Sequence, residues 1–387
     1  MTATNAGPVG PPIRRIVVRS VNWLGDAVMT TPALMRLREA LPDTEIHLLS
    51  PQKLAALWLA HPAVDRVVAF GPGEGIWQVS RRIRREGADV SLILPNSLRS
   101  ALEPWLARVP RRIGIATRGR RWWLTGAVEP DPRAARMRKR SPEEIRAGLQ
   151  EARAIPPTPP PESHHTRHYL RLVGVLGADP TPIAPVLRVT DDERTAMQAT
   201  LMAALPPGAR DQAEAGWIGI NPGAEYGPAK RWPAENFGRL LQDLRARGCR
   251  LPVVVFGGGA DVEAARLVAS HGSGNVVNLA GRTGLRELMA AMTRLRVLVT
   301  NDTGPMHVAA ALGVPVVVPF GSTSPELTGP GLPGDPRHHL LRAGVPCAPC
   351  FLRQCPIDLR CLTRISPDQV TDAVMLVLGT VASLPSP

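Results

Sequence analysis

Short runs of β-branched and aliphatic residues alternate with amphipathic segments along most of this chain, and that alternation constrains the fold more than any other feature. Residues 15–19 (RIVVR), 45–49, 66–70 and 90–94 read as buried strands, with helical patterns at 76–85 and 100–108 between and after them. The second half repeats the theme. Strands are expected at 217–221, 252–256, 275–279, 297–300 and 315–319, and helices at 234–247, 261–270, 285–294 and 306–312. A parallel crossover needs a helix's length of chain, so this order gives parallel sheets with helices on both faces. A chain of 387 residues has room for two such domains. The expectation is α/β, with doubly wound parallel-sheet domains at 1–185 and 186–387. In open sheets of this kind ligands bind beyond the carboxyl ends of the strands, which directs attention to a cleft between the domains.

Two segments break the pattern. Residues 131–163 hold DPRAARMRKRSPEE and AIPPTPPPES, basic and then proline-rich, and read as a mobile surface loop with no core face. Residues 177–185 carry three prolines and read as the approach to the linker. The last helix opens at Ser366-Pro367-Asp368-Gln369, where Ser caps, Pro takes the first helical position and Gln can close a capping box.

Composition excludes several classes. With 44% hydrophobic and 20% charged residues the chain is neither disordered nor collagen-like, and no sustained heptad suggests a coiled coil. The longest nearly unbroken apolar run, 373–384, falls short of the ~20 residues a membrane span needs. The first 13 residues show no apolar core of a secretory signal, so a reducing compartment is expected. Residues 1–190 hold 28 basic and 16 acidic side chains, a net of +12, whereas 191–387 hold 18 and 17, a net of +1. Either the first half meets a polyanion or an anionic membrane surface, or a GC-rich genome has favoured Arg. Cys249 stands alone. Cys347, Cys350, Cys355 and Cys361 form C-x2-C-x4-C-x5-C, which suits a structural metal, reduced thiols or a redox pair.

Five loops carry residues able to do chemistry. Gly25-Asp26 follows the first strand, where Asp26 either faces the cleft or only stabilises a helix first turn. NPGAEYGPAKRWP (221–233) places Lys230 in a glycine- and proline-dense loop, where a cation can hold a phosphate. NDTGPMH places Thr303 and Gly304 at a helix start with Pro305 behind them, an arrangement that points amides at an anion. Asp302 beside them repels phosphate and suits sugar hydroxyls, and His307 is either a site or a core histidine. FGGGADVEAA offers Asp261 or Glu263 to a ribose. LPNSLRSAL (Asn96, Ser97, Arg99) and RGRRWW (Arg118, Arg120, Arg121, with Trp122 and Trp123) offer anion contacts and interfacial rings. No nucleic-acid motif is present.

Together NWLGDAVMTTPAL, LPNSLRSAL, NPGAEYGPAKRWP, LAGRT and NDTGPMHVAAALGVP resemble glycosyltransferase family 9, the ADP-heptose:lipopolysaccharide heptosyltransferases, and within it the heptosyltransferase II branch. The resemblance runs from about residue 13 to about 378 and leaves 131–163 unmatched. It implies a GT-B fold of two Rossmann-like domains facing a cleft, the first binding acceptor and the second the sugar nucleotide. It implies transfer with inversion, no catalytic metal and no cofactor beyond ADP-heptose as co-substrate. It makes Asp26 the catalytic base. Donor contacts fall to Lys230, Glu225, Asp302, Thr303, Gly304, His307 and Asp261, with an offset to Glu263 left open. Acceptor contacts fall to Asn96, Ser97, Arg99, Arg120 and Arg121. The implied partners are ADP-heptose, an anionic lipopolysaccharide core and the inner leaflet, with no nucleic acid, for a cytoplasmic protein peripheral to the inner membrane. A family member moving another sugar to another acceptor, or a binding module that has lost catalysis, is the alternative.

Overall fold

The structure is a computed structural model that describes residues 12–382, apart from 118, 133, 136, 152, 153 and 273. Two compact units emerge. Among the described residues the first comprises 12–134 and 162–188, the second 135–161 and 189–382.

The first unit is built on six parallel strands: β1 (Arg15–Arg19), β2 (Glu45–Pro51), β3 (Arg66–Phe70), β4 (Val90–Ile93), β5 (Arg111–Ile115) and β6 (Gly126–Val128). Their spatial order is β3-β2-β1-β4-β5-β6. Ile16, Val17, Val18, Leu48, Leu49, Val90 and Leu92 are fully buried, as strands covered on both faces must be. The second unit holds β7 (Trp217–Asn221), β8 (Val253–Val255), β9 (Val276–Asn278), β10 (Leu295–Thr300), β11 (Val316–Phe320) and β12 (His339–Arg342), also all parallel, in the order β12-β11-β10-β7-β8-β9. Read from the other edge, that is the same winding as the first sheet. Each sheet therefore reverses direction once, between β1 and β4 and between β7 and β10. The crevice at such a reversal is where a doubly wound sheet takes its ligand.

The strands expected from the sequence all appear within two residues. Strands β5, β6 and β12 were not expected, because RRIGI, GAV and HLLR are short or bracketed by charge. The capping box at Ser366 forms, with the Ser366 amide donating to Gln369 Oε1 (2.9 Å) and the Gln369 amide to Ser366 Oγ (3.2 Å).

Residues 131–163 differ from expectation. They contain a helix, Pro142–Gln150, closed by a reciprocal Ser141–Glu144 capping box. Ile145 is 1% exposed within the apolar core of the second unit, and Leu149, one turn on, packs against that core. Arg140 donates to the Pro346 carbonyl (2.8 Å), and its amide to the Cys350 carbonyl (3.1 Å). Two apolar residues at i and i+4 suffice to dock a helix that the surrounding charge disguises. The change of unit falls at 188/189 rather than 185/186. With 135–161 reassigned, the first unit holds 22 basic and 13 acidic side chains, a net of +9, and the second 24 and 20, a net of +4.

Burial sets one pH response. His61 and His168 in the first unit and His338 in the second are each pushed down to about 4 by desolvation. Between pH 6.5 and 4 the unfolded chain binds these protons and the native chain does not, so stability falls as pH falls through that window. The first unit, with two such groups, is expected to lose up to about 3 kcal/mol per pH unit and the second about half that. Urea midpoints at pH 7 and pH 5 measure it, and equal midpoints would refute it.

Candidate active site

In the first unit Asp26 lies in the first turn of the helix Leu24–Met29, directly after β1, and is half-buried. The helix His165–Gly174 brings Tyr169 into its field. The Tyr169 phenol is pushed well up, first by burial and then by the Asp26 charge.

Arg120 is fully buried, and burial lowers its guanidinium to about 10, so it stays charged at neutral pH. Its Nη1 donates to Asn96 Oδ1 at 3.2 Å, while Nε and Nη2 have no partner among the described residues. The Asn96 amide lies 3.3 Å from His168 Nε2. With Asn96 Oδ1 taken by Arg120, its Nδ2 donates and the neutral His168 accepts. A buried cation with two unused donors is costly unless an anion meets it. Asn96, at the switch point after β4, thus joins the buried guanidinium to an imidazole.

The other expected acceptor residues behave differently. Ser97 Oγ caps its own helix, accepting from the Ser100 amide. Arg99 pairs with the buried Glu103 (2.9 Å) and donates to the Glu74 carbonyl (2.6 Å), while Glu103 also pairs with the buried Arg19 (2.7 Å). Arg121 pairs with Glu129 at the surface. Arg118 lies outside the described residues.

In the second unit Lys230 closes the short turn Pro228–Lys230. Gly227 before it has φ 150°, and a Cβ there would sit 2.6 Å from the Arg353 carbonyl, so the turn requires glycine. Lys230 Nζ is 2.6 Å from Asp302 Oδ2 and 5.0 Å from the Tyr226 ring centre. Thr323 donates a second hydrogen bond to the same Asp302 oxygen. The two residues expected to hold phosphate and sugar separately thus form a single pair, a half-buried lysine on a buried aspartate, with Thr323 as a third member the sequence did not announce.

Two further unanticipated residues place this pair. Asn301 Nδ2 donates to the Pro222 carbonyl (2.7 Å) and its Oδ1 accepts from the Trp232 amide (2.9 Å), lacing the loop after β7 to the loop after β10. Asn221 Nδ2 adds bonds to Gly223 O (3.3 Å) and Thr300 Oγ1 (3.1 Å). The fully buried Trp232 anchors the far end through its indole N–H to the Ile365 carbonyl (2.9 Å). A buried asparagine after each strand was the available signal.

The helix Gly304–Ala311 begins after Thr303 with Pro305 in its first turn, as expected. Thr303 sits at the N-cap position, but its side chain makes no cap hydrogen bond. His307 is buried in this helix. Asp261 is tucked inward. It accepts from the Gly258 amide (3.1 Å) and Arg231 Nη2 (3.2 Å), and its carboxylate lies where a Cβ on Gly223 would fall. Glu263 is exposed and paired with Arg266 along its own helix, and Glu225 is exposed. The inward acid of the glycine turn is therefore Asp261.

All five cysteines are free. Burial raises the Cys347 and Cys350 thiols and pushes Cys361 up to about 12, while Cys355 Sγ accepts the Leu359 amide (3.3 Å). Among the described residues no three His, Cys, Asp or Glu side chains are arranged to hold a metal.

The model of glycosyltransferase family 9 (heptosyltransferase) matches residues 76–360. The chain belongs to glycosyltransferase family 9. It is 30% identical over 334 residues to lipopolysaccharide heptosyltransferase 2 of Salmonella typhimurium, covering 82% of this chain and 85% of that protein. The Escherichia coli K12 protein of the same name is also 30% identical, over 335 residues and equal shares. Among solved structures, E. coli ADP-heptose lps heptosyltransferase II superposes with TM-score 0.72 at 26% identity, over 95% of this family 9 chain and all of that one. A family 9 glycosyl transferase from Veillonella parvula superposes with TM-score 0.77 at 24% identity, over 95% and 98%. The two doubly wound units are those of the GT-B fold.

Proposed function

We propose that the chain moves heptose from ADP-heptose to the heptosylated inner core of lipopolysaccharide, with inversion and without a metal or other cofactor. The observation that carries this reading is the similarity to lipopolysaccharide heptosyltransferase 2 over 82% of the chain and 85% of the relative. Asp26 takes the proton from an acceptor hydroxyl as that oxygen forms a bond to the anomeric carbon. The bond from that carbon to the diphosphate breaks, and ADP leaves with the electron pair. Attack opposite the leaving group inverts the centre. Lys230 and the amides opening the helix Gly304–Ala311 take up the charge on the departing diphosphate. Asp261 accepts from the ribose, and Asp302 serves the sugar hydroxyls once Lys230 engages phosphate.

Arg120 and Asn96 hold an anionic group of the acceptor. Arg120→Met is expected to raise the acceptor KM about 10- to 100-fold, the worth of a charged hydrogen bond, while leaving or raising Tm. A fall in Tm with unchanged KM would make Arg120 structural. The protein works at the cytoplasmic leaflet of the inner membrane, and nucleic acid is not a partner. Among the described residues no helix is long and apolar enough to cross a membrane.

The deciding experiment incubates the protein with ADP-heptose and heptosylated Kdo–lipid A after exhaustive chelation. A single heptose mass increment with inverted anomeric configuration is expected. Transfer from a different sugar nucleotide only, or activity restored by one added ion, would overturn the corresponding part.

A further inference from the structure

The helix Ile76–Glu86 and the helix Leu98–Leu106 pack side by side in the first unit. They are tied at both ends. Arg99 donates to the Glu74 carbonyl (2.6 Å) and Arg84 to the Leu106 carbonyl (2.5 Å). Along the second helix Leu98, Leu102 and Trp105 recur at i, i+4 and i+7, and Leu98 (48%) and Trp105 (41%) are exposed. Trp123, from the turn Arg121–Trp123, stacks edge-on against Trp105 at 4.6 Å. Beside it Trp122 is 85% exposed, and Trp77, at the start of the first helix, is 65% exposed. Exposed apolar side chains of this size gathered on neighbouring elements mark an interaction surface.

Charge identifies that partner. The exposed charged residues on the two helices are Arg81, Arg84, Arg85 and Arg99, whereas their acids, Glu86 and Glu103, are both buried. The unit that carries them has the larger net charge, +9. Tryptophan rings favour a boundary that is apolar at one end and wet at the other, and arginine pairs with phosphate head groups there. Rings that project from three separate elements among arginines suit a fluid head-group layer, which needs no matching shape.

We propose that this face docks the protein on an anionic lipid bilayer, with Trp77, Trp105 and Trp122 entering the head-group layer and Arg81, Arg84 and Arg85 pairing with lipid phosphates. The purpose of docking rests on the lipid-linked acceptor proposed above, but the docking is measurable without it. Flotation with vesicles of phosphatidylethanolamine and phosphatidylglycerol, free of lipopolysaccharide, is compared with pure phosphatidylcholine. The protein is expected to float with the anionic vesicles and to be released by salt. Bromine-labelled lipid is expected to quench part of its tryptophan fluorescence. Trp77→Ser with Trp122→Ser should weaken binding at least about tenfold and remove much of that quenching. Arg81→Gln with Arg85→Gln should weaken it by roughly 30-fold, at about 1 kcal/mol for each charge. Turnover of a delipidated, water-soluble acceptor should be unchanged in both variants. Variants that bind like the parent, equal binding to neutral vesicles, or equally tight binding to duplex DNA would overturn the proposal. Failure of the parent to glycosylate the soluble acceptor would instead strike the proposed function and leave the vesicle result standing.

Discussion

Asp26→Asn is expected to bind ADP-heptose as tightly as the parent and to turn over about 10²- to 10⁴-fold more slowly. Asn keeps the size and the hydrogen-bonding oxygen of Asp but cannot take a proton. Asp26 lies in a helix first turn, so its charge adds about 0.3–1 kcal/mol to stability through the helix dipole, and Tm should move little. Titration calorimetry with ADP-heptose and single-turnover mass spectrometry separate binding from chemistry. Normal single-turnover rates would remove Asp26 from the mechanism. A large fall in Tm would reassign it to the fold.

Lys230→Ala has two expected consequences, which a second substitution separates. Loss of a donor to the leaving diphosphate should cost about 2.7–4 kcal/mol of barrier, or 10²- to 10³-fold in kcat, and weaken ADP binding. It also leaves Asp302, 3% exposed, with Thr323 as its remaining side-chain partner among the described residues, and an orphaned buried carboxylate costs about 3–5 kcal/mol. Adding Asp302→Ala should recover most of the stability and none of the activity, because the stability penalty belongs to the unpaired charge and the rate penalty to the missing ammonium. Recovery of both, or of neither, would show that the pair does not divide in this way.

Much of the fold was legible in the sequence because strands buried on both faces are apolar throughout and helices keep their own period. The strand β5 was hidden by the two arginines that open it ahead of its buried end, and β12 by His339 and Arg342 on either side of two half-buried leucines. The site loops were legible for a related reason. Gly227 and Pro228 mark the turn that presents Lys230, and Pro305 marks the helix start beside Asp302. Pairing was not legible. Lys230 and Asp302 are 72 residues apart and Arg120 and Asn96 are 24 apart, so nothing local announces that they meet. Nor does sequence separate arginines by burial. Arg99, Arg120 and Arg121 looked alike, yet the first braces Glu103, the second is sealed inside with two idle donors, and the third pairs at the surface.

The docked helix Pro142–Gln150 alters how the chain can be divided. A cut near residue 185, the place the proline pattern invites, would strand Ile145 and its helix with the wrong partner and leave an apolar socket open. Chimeras that exchange carboxyl-terminal halves between relatives must therefore transplant residues 135–161 as well, even though they are encoded upstream of the first unit's last helix.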